Sequence, residues 1–388
     1  MSLAAKTGYA LYLITKLGIE WERIGMADSI EIDFLAVGEG QRSGDAIAIR
    51  WREGDLYKVM VYDGGTKDYG QALVDHIQRY FQTSRVDYVV NSHPDNDHAG
   101  GLLYVVENLE IGELWMHRPW EYSNEIRHYF HDGRMTDSSL ATRLQEKMSA
   151  AYALERVALK KGVVIKEPFA GAQIGMFTVL SPTRDEYVHE LVPDFEKSPE
   201  LSMESVSVAA SLLDAAQGKV AEVIADRWQI EFLPDNVVTS AENESSAILY
   251  GLVNGRGYLL TGDAGIRSLR ACSNYARSIG IDLPGSVHFA QIPHHGGRHN
   301  VSTEVLDLVL GKPLAERPEK PVRRAFVSVG AGATRHPKKS VTNAFIRRGF
   351  KVVETKGENK CHRSAGVAKR VGWTAATYVP FYDSEVEA

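Results

Sequence analysis

The sequence predicts an α/β protein in which two β-sheets are each covered by helices. Runs of β-branched and aromatic residues bounded by glycine predict strands, and segments with apolar residues at helical spacing lie between them. Two such series occur, one before about residue 118 and one after about residue 239. Two helix-covered sheets are an economical way to bury both series.

The first series begins with three consecutive strands and continues with alternating helices and strands. The fourth strand is a continuous apolar run, typical of a strand that is buried on both faces, and it leads into a polar loop. The strand segments are IEIDFLAV, DAIAIRW, LYKVMVYDGG, VDYVVN and ELWMH, and the helical segments are QALVDHIQRYF and AGGLLYVVENL.

Between the two series the pattern changes to long helical runs around one strand pair. A chain of 388 residues exceeds the usual domain size of roughly 100 to 200 residues, so one enlarged domain or a domain with an insertion is expected. We predict a helical extension at 1–29 and one domain at 30–388, with a mainly helical insertion at about 118–239. The second series resumes with SAILYGLV, GYLLTGDA and VHFAQIPHH, alternating with the helical segments IRSLRACSNYARSIG and SVTNAFIRRGF.

The composition predicts a soluble protein in a reducing compartment. It is 44% hydrophobic and 24% charged, and no segment approaches the roughly 18 consecutive apolar residues that a membrane span needs. The apolar stretch GYALYLITKLG is interrupted by Lys16 and lacks a following cleavage site, which favours a surface helix over a signal peptide. Cys272 and Cys361 are too few for a disulfide framework or a cysteine-rich zinc cluster. We therefore expect a cytoplasmic protein that does not engage a membrane, and the sequence indicates no particular protein partner.

Charge is distributed unevenly along the chain. The net charge is −6, yet the residues after 295 contain 17 Lys and Arg against 9 Asp and Glu. A basic end of this kind can attract a phosphate-bearing substrate, including a nucleic acid. A solvated surface with uneven charge explains the same pattern.

The most informative segment is HPDNDH, at the end of the fourth strand. It places His93, Asp95, Asp97 and His98 within six positions. An extended loop can turn alternate side chains to one side, and imidazole with carboxylate ligands suits borderline and hard divalent cations. Acids crowded this closely would repel one another without a cation. The alternative is a polar turn in which Asp97 or His98 caps a helix.

Two later strands also end in residues that can bind a metal. Asp263 ends GYLLTGDA, and His294 and His295 end VHFAQIPHH. Strand ends of this kind are where α/β proteins commonly build their sites. An Asp after a strand is more often a helix cap, so the order of the three motifs carries more information than any one of them.

That order resembles the metallo-β-lactamase fold. The family has an Asp after an early strand, an H-x-H-x-D-H loop, a further His, a bridging Asp and a final His, and here Asp63, the loop 93–98, Asp263 and His295 occupy matching places. The variants DGG, SHPDNDH, LLTGDA and PHHGG, followed by SVGAGATRHP, resemble the soluble hydrolase domain attached to DNA-uptake competence proteins. The resemblance covers roughly residues 30–105 and 240–354 and implies a four-layer αββα sandwich.

The resemblance also implies a set of metal ligands. Asp97 and His98 would bind one ion together with His295, His93 and Asp95 would bind another, and Asp263 would bridge the two. His295 is preferred to His294 because it directly precedes the glycine, but the choice between them stays open. Asp63 would orient the histidine loop by hydrogen bonding.

The chain departs from the family pattern at two positions. Asp95 stands where the second His usually is, and Asn243 stands where the separate His before the bridging Asp is expected. Additional oxygen ligands favour manganese or another hard ion over zinc, and one or two ions are expected. His117, at the end of ELWMH, could supply a missing ligand or contact the substrate, or could simply be a buried histidine at a strand end.

The implied chemistry is hydrolysis by a metal-activated water, because a divalent ion can lower the pKa of bound water from 15.7 to about 7. Asp97 is predicted to be catalytic as well as a ligand, and His294 or His336 would protonate the leaving group. Arg335 and Lys338 would hold a phosphate. The alternatives are that His336 starts a helix ahead of Pro337 and that the basic side chains are only solvated.

Three functions follow from these features. The first is a metal-dependent phosphodiesterase or nuclease, favoured by the basic C-terminal part and the competence-type motifs. The second is a hydrolase of a small ester, lactone, thioester or lactam, which needs the same centre without a basic rim. The third is an inactive metal-binding interaction module, which the nearly complete ligand set disfavours.

Overall fold

The computed structural model describes residues 27–130, 134–197, 228 and 230–383. In this part of the chain, fourteen strands form two seven-stranded mixed sheets. The strands are β1 (Ser29–Phe34), β2 (Ala46–Glu53), β3 (Leu56–Gly64), β4 (Arg85–Val90), β5 (Glu110–Trp115), β6 (Val164–Lys166), β7 (Gln173–Ile174), β8 (Phe177–Ser181), β9 (Ile248–Val253), β10 (Arg256–Leu260), β11 (Val287–Gln291), β12 (Arg323–Val327), β13 (Phe350–Glu354) and β14 (Lys360–Arg363).

The two sheets have related strand orders. The first sheet runs β14-β1-β2-β3-β4-β5-β6, with antiparallel pairing up to β3 and parallel pairing from β3 to β6. The second runs β13-β12-β11-β10-β9-β8-β7, with parallel pairing from β13 to β10 and antiparallel pairing beyond. Each sheet therefore has a parallel half, whose strands end at one common edge.

Helices follow the strands and cover the outer faces of the sheets. No helix among the described residues is long and apolar enough to cross a membrane. The α-helices are α1 (Gly70–His76), α2 (Asn96–Ala99), α3 (Leu102–Asn108), α4 (Ser123–Ile126), α5 (Asp137–Lys147), α6 (Ser149–Lys160), α7 (Arg184–Glu186), α8 (Val192–Lys197), α9 (Ala241–Glu244), α10 (Ile266–Ser278), α11 (Leu283–Ser286), α12 (Thr303–Leu310) and α13 (Lys339–Arg347). Single turns of 3₁₀ or π helix occur at Lys67–Tyr69, Ile77–Phe81, Pro119–Tyr122, Arg127–Tyr129, Tyr187–Leu191, His294–Gly296 and Arg298–Asn300.

Three hydrophobic clusters separate the layers. Strand β2 shows why, because its alternate residues belong to different clusters: Ala48 packs under the helices of the first sheet, whereas Ile49 and Trp51 pack between the sheets. In the central cluster Trp51 stacks on Tyr88 and meets Phe177 of the second sheet edge-on. A third cluster lies under the helices of the second sheet. The result is the predicted four-layer αββα sandwich of the metallo-β-lactamase type.

The parallel halves of the sheets determine where loops can meet. In the first sheet Tyr62 pairs with Val90 and Val90 pairs with Trp115, so β3, β4 and β5 end side by side. In the second sheet Leu259 pairs with Ala290, so β10 and β11 also end together. The loops after β4, β10 and β11 carry the three predicted motifs, and Asp63 lies near the end of β3.

The stretch between residues 118 and 239 differs from a purely helical insertion. It supplies β6 to the edge of the first sheet and the β7–β8 hairpin to the edge of the second, because both edges have unpaired backbone groups to satisfy. Its first helical run is also two helices, α5 and α6, separated by Met148 in a non-helical conformation. The predicted helices at 1–29 and in SVSVAASLLDAAQGKVAEVIADRW lie almost wholly outside the described residues.

Candidate metal centre

The loop after β4 folds the HPDNDH motif into a single turn of helix, α2. His93 lies just before this turn and His98 within it, both rings are buried, and their centroids are 4.2 Å apart. Asp95 occupies the N-cap position of α2, yet its carboxylate makes no capping hydrogen bond and lies 3.6 Å from Nε2 of His93. Asp97 and His98 lie within α2, so neither of them caps the helix as the alternative of a capping turn expects.

Residues from the second sheet meet this loop. Oδ2 of Asp263, after β10, is 3.3 Å from Nε2 of His98 and 4.0 Å from Nε2 of His295, which follows β11. Oδ2 of Asp97 is 3.7 Å from the same His295 nitrogen. The structure thus brings the three separate motifs into one cluster.

Three overlapping groups of side chains among the described residues could hold a metal ion, and the predicted motifs supply two of them. In each group the candidate ligand atoms lie within 4.8 Å of one another, and His98 belongs to all three. Asp97, His98 and His295 form the group predicted for one ion. The other group differs from the predicted set, because His93 is joined by His98 and Asp263, whereas Asp95 is outside it. These two groups are His93–His98–Asp263 and Asp97–His98–His295.

The chemistry of these atoms fits a divalent cation. Nε2 of His93, Nε2 of His98, Nε2 of His295 and Oδ1 of Asp263 are all buried and have no hydrogen-bond partner among the described residues. An unsatisfied buried polar group costs roughly 1–3 kcal/mol, so four in one place call for a common partner. Imidazole nitrogen with carboxylate oxygen is a donor set that suits zinc or manganese.

Hydrogen bonds at Nδ1 hold the rings of His93, His98 and His295 so that the lone pair of each Nε2 faces the cluster. Nδ1 of His98 donates to Oδ2 of Asp63 at 2.9 Å, and Nδ1 of His295 donates to the carbonyl of Ser328 at 3.1 Å. Oγ of Ser92 donates to Asp63, so it accepts from Nδ1 of His93 at 3.0 Å. With the proton on Nδ1 in each ring, Nε2 is free to act as a ligand.

Backbone strain is concentrated at the same place. Asp63, His294 and His295 adopt φ values of 59°, 48° and 54°, a left-handed conformation that residues with a β-carbon seldom adopt. Asp63 also accepts a hydrogen bond from the backbone N–H of Ser92 at 2.7 Å, which links the loops after β3 and β4. Strain of about 1–3 kcal/mol per residue persists only where the surroundings enforce it, and it is typical of functional sites.

His294 differs from the other histidines of the cluster. Its Nδ1 accepts a hydrogen bond from Nδ2 of Asn243 at 2.8 Å, and Asn243 is held by Thr239 at 2.7 Å. The proton of the neutral ring is therefore on Nε2, which makes this atom a hydrogen-bond donor instead of a ligand. Asn243, at the position where the family pattern has a histidine, orients His294 from α9.

The electrostatics of the cluster favour positive charge. Burial opposes ionisation of Asp263, but the neighbouring His98, His294 and His295 hold the pKa of its carboxyl well below the usual range. Burial likewise lowers the pKa of His295, yet Asp263 and Asp97 outweigh it and raise that pKa to about 9. Protons and metal ions therefore compete for these side chains, so metal affinity should fall as the pH is lowered.

The predicted phosphate-binding loop lies beside the last motif. The backbone N–H of Lys338 donates to the carbonyl of Gly296 at 3.1 Å, so the loop containing His336 rests on the His294–Gly296 turn. Burial and the charge of His295 lower the pKa of His336 to about 4. Arg335 is exposed, and α13 begins only at Lys339, which leaves His336 outside the first helical turn.

His117 is not brought to the cluster. Its ring lies in the core beyond β5, stacked on Tyr187 at 4.2 Å between centroids and 4.9 Å from Phe169. It belongs to none of the three candidate ion-binding groups, and burial alone lowers its pKa to about 3. The placement matches the alternative of a buried histidine at a strand end.

Asp45 is a site residue that the sequence analysis missed. Its carboxylate is buried, with Oδ2 4.0 Å from Nδ1 of His98, and together with Asp63 and His98 it forms the third group that could hold a metal ion. Burial raises the pKa of Asp45 to about 6, against the opposing effect of His295 and His98. The sequence indicates this role only weakly, because Asp45 is simply an Asp between Gly44 and the apolar segment that forms β2.

Comparison with known proteins is consistent with the fold. Residues 41–181 match the model of the metallo-beta-lactamase superfamily. The matched segment includes Asp63, His93 and His98, whereas Asp263 and His295 lie beyond it. Among curated proteins, none matches the sequence.

Several solved structures are similar to this chain at low sequence identity. The metallo-beta-lactamase fold protein YhfI from Bacillus subtilis is 10% identical, with 87% of this chain and all of that chain covered and a TM-score of 0.37. A variant of CmlA beta-hydroxylase is 10% identical over 86% of this chain and 54% of its own, with a TM-score of 0.38. Metallo-beta-lactamase SMB-1 bound to 2-mercaptoethanesulfonate is 8% identical over 72% of this chain and 86% of its own, with a TM-score of 0.29.

The first prediction concerns metal binding. Titration of the metal-free protein with Mn²⁺ or Zn²⁺ should show tight binding, and His98→Gln should weaken it most, because His98 belongs to all three groups. Asp63→Asn should lower the affinity by about 10–100-fold, since it removes the charge that orients His98. Isothermal titration calorimetry and elemental analysis measure both effects.

The matched control for this titration is His128→Gln, which removes an exposed histidine and should leave affinity unchanged. His295→Gln should lose metal, whereas His294→Gln should retain it, which decides between the two adjacent histidines. Equal metal content in wild type and His98→Gln would refute the site.

The second prediction concerns the dependence of stability on pH. His117 is neutral in the folded protein down to about pH 3, whereas in the unfolded chain it takes up a proton near its ordinary pKa of 6.5. Folding is therefore progressively disfavoured as the pH falls from 6.5 towards 3, by up to about 1.4 kcal/mol per pH unit. His117→Phe should show a correspondingly shallower loss of unfolding free energy between pH 6 and pH 4.

Urea unfolding at a series of pH values, with a chelator present, measures the slope of unfolding free energy against pH without a contribution from metal binding. His128→Gln serves as the reference, because it replaces a histidine on the surface of the protein. A His117→Phe slope identical to that of wild type would show that His117 is accessible to protons in the folded state.

Proposed function

We propose that this protein is a metal-dependent hydrolase whose substrate is a phosphodiester, including nucleic acid. The observation that supports the hydrolase assignment is a cluster in which three imidazole nitrogens and a buried Asp263 oxygen lack hydrogen-bond partners and belong to two overlapping groups able to hold a metal ion. A divalent ion bound there would lower the pKa of a coordinated water to near neutrality and draw negative charge from the attacked group. Zinc and manganese both suit the donor set.

The chain's own residues provide positioning around that point. His93, His98 and His295 are held with Nε2 facing inward, and Asp263 and Asp97 supply the charge that retains a cation. Because these groups are fixed before substrate arrives, little reorganisation is required during the reaction. Burial of the rings also excludes bulk water from all but the exposed side of the cluster.

His294 is suited to a proton-donating role. Its Nε2–H is set by the hydrogen bond from Asn243 to Nδ1, and its side chain is 34% exposed, which makes it accessible from solvent. The neutral ring can donate a hydrogen bond to an oxygen of the substrate, and to protonate the leaving group it would first have to take up a second proton at Nδ1, because a neutral imidazole that gave up its proton would become imidazolate. His336 is neutral near pH 7 in the free protein, and an anionic substrate beside it would favour its protonated form.

A phosphodiester is favoured over a neutral ester by the basic loop at the rim. Arg335 and Lys338 flank His336 on the loop that rests on the His294–Gly296 turn, so this loop brings positive charge next to the candidate centre. Guanidinium and ammonium groups bind phosphate oxygens through charge-assisted hydrogen bonds. A neutral ester or lactone would gain nothing from them.

The third prediction compares substrates. With Mn²⁺ or Zn²⁺ added, the protein should hydrolyse bis-p-nitrophenyl phosphate and single-stranded DNA more efficiently than a p-nitrophenyl ester. The double variant Arg335→Ala with Lys338→Ala should raise KM for the phosphodiester several-fold with a smaller change in kcat, because these side chains would bind substrate and take no part in proton transfer.

Lys320→Ala is the matched control, since it removes an exposed cation on another loop and should leave KM unchanged. Turnover of the ester alone would contradict the phosphodiester assignment and favour a small-ester or lactone hydrolase. Metal binding without turnover of any of the three substrates would favour a metal-binding interaction module.

A further inference from the structure

A buried polar pair connects the two sheets beneath the candidate metal centre. Asp45 directly precedes β2 of the first sheet, and Gln291 is the last residue of β11 in the second sheet. Their side chains are 2% and 1% exposed, and Nε2 of Gln291 donates to Oδ2 of Asp45 at 2.8 Å. The two residues are 246 positions apart in the chain, so only the fold brings them together.

The other end of the Gln291 side chain holds the turn that carries Asp263. Its Oε1 accepts hydrogen bonds from the backbone N–H groups of Thr261 at 2.9 Å and Gly262 at 3.0 Å. Gly262 has a φ of +52°, and a β-carbon there would lie 2.9 Å from Oγ of Ser92, so the turn is tight. The turn therefore depends on an acceptor at the position of Oε1.

The orientation of the Gln291 amide is determined by its partners. If the amide were rotated by 180°, its NH₂ group would face two N–H donors and its oxygen would face the Asp45 carboxylate. Both contacts would be repulsive, in a site where burial strengthens electrostatic effects. Asp45 thus selects the orientation in which Gln291 can bind the Thr261–Gly262 turn.

Other contacts hold the next part of the turn. Oγ of Ser246 accepts from the backbone N–H of Asp263 at 3.1 Å, and Nδ2 of Asn300 donates to the Asp263 carbonyl at 2.8 Å. These contacts fix the Asp263 backbone within the second sheet. The hydrogen bonds from Asp45 through the Gln291 side chain connect that backbone to the first sheet, which carries His93 and His98.

We infer that Asp45 is a positioning residue, which acts through Gln291 to align the Asp263 carboxylate with the histidines of the opposite sheet. The inference rests on the proposed metal centre, and it adds a residue to which neither the family pattern nor the three motifs assign a role. Asp45 lies on the Nδ1 side of the His98 ring, away from the Nε2 atom that would bind the ion, so its effect on metal affinity would be transmitted through one amide side chain.

Four variants test the hydrogen-bond logic. Asp45→Ala removes the acceptor, and Gln291→Glu places two carboxylates face to face, so each should weaken Mn²⁺ binding by about 10–100-fold. Asp45→Asn still offers an oxygen to Gln291 and should bind nearly as well as wild type. The double variant Asp45→Asn with Gln291→Glu restores every hydrogen bond, because Asn donates to Glu in place of the original donation from Gln to Asp, and Glu still accepts from the backbone N–H groups of the turn.

The decisive comparison is between Gln291→Glu and the double variant. Calorimetric titration should show that the double variant binds Mn²⁺ about tenfold or more tightly than the single variant Gln291→Glu does. Urea unfolding of the same metal-free proteins reports any change in stability separately. Asp87→Ala is the control, since this carboxylate on β4 accepts from the backbone N–H of Val59 and has no contact with Gln291.

Several outcomes would overturn the inference. Wild-type Mn²⁺ affinity in Asp45→Ala and Gln291→Glu would do so, as would a double variant that binds no better than Gln291→Glu. Equal losses in Asp45→Asn and Asp45→Ala would show that the charge of Asp45 acts directly. If the two substitutions had non-additive effects on the free energy of unfolding but left Mn²⁺ affinity unchanged, the Asp45–Gln291 pair would have only a structural role. A wild-type protein that binds neither Mn²⁺ nor Zn²⁺ would refute the proposed function itself, and the inference with it.

Discussion

Burial of the Asp263 carboxylate among His93, His98 and His295 is the constraint on which the site depends. A carboxylate removed from water is unfavourable unless positive charge or hydrogen-bond donors replace its hydration. Here Oδ1 of Asp263 has no such donor among the described residues, and Nε2 of His93, of His98 and of His295 has no hydrogen-bond partner either. One or two divalent cations bound by the candidate groups would satisfy these atoms, because each ion takes several ligands at once.

The fold meets this constraint by placing the ligands at facing edges of two sheets. Neither sheet carries the whole cluster, since His93 and His98 follow β4 whereas Asp263 and His295 follow β10 and β11. The relative position of the sheets therefore determines the geometry of the centre. Aromatic packing between them, such as Trp51 against Phe177, makes that position rigid, and the strained backbone at Asp63 and His295 is tolerated because hydrogen bonds on both sides enforce it.

Much of the fold and of the candidate centre could be predicted from the sequence, because their signals are local. Alternation in β2 and the density of ligand types in HPDNDH each lie within a short window. The pairing of Asp45 with Gln291 could not be predicted, since it depends on how two sheets pack. Local periodicity also gave no indication that Met148 separates two helices, or that β6 and β7 extend different sheets. His117 shares a strand-end position with the ligands, and only the aromatic residues packed around it distinguish it from them.

The most direct measurement of the central claim is the position of a bound ion. Crystals of the protein grown with Mn²⁺, with anomalous diffraction recorded at the manganese edge, locate the ion independently of any assumption about ligands. The account predicts an anomalous peak within coordinating distance of Nε2 of His98 and a carboxylate oxygen of Asp263. A peak elsewhere, or occupied manganese with the His98 and His295 rings turned away from it, would contradict the account.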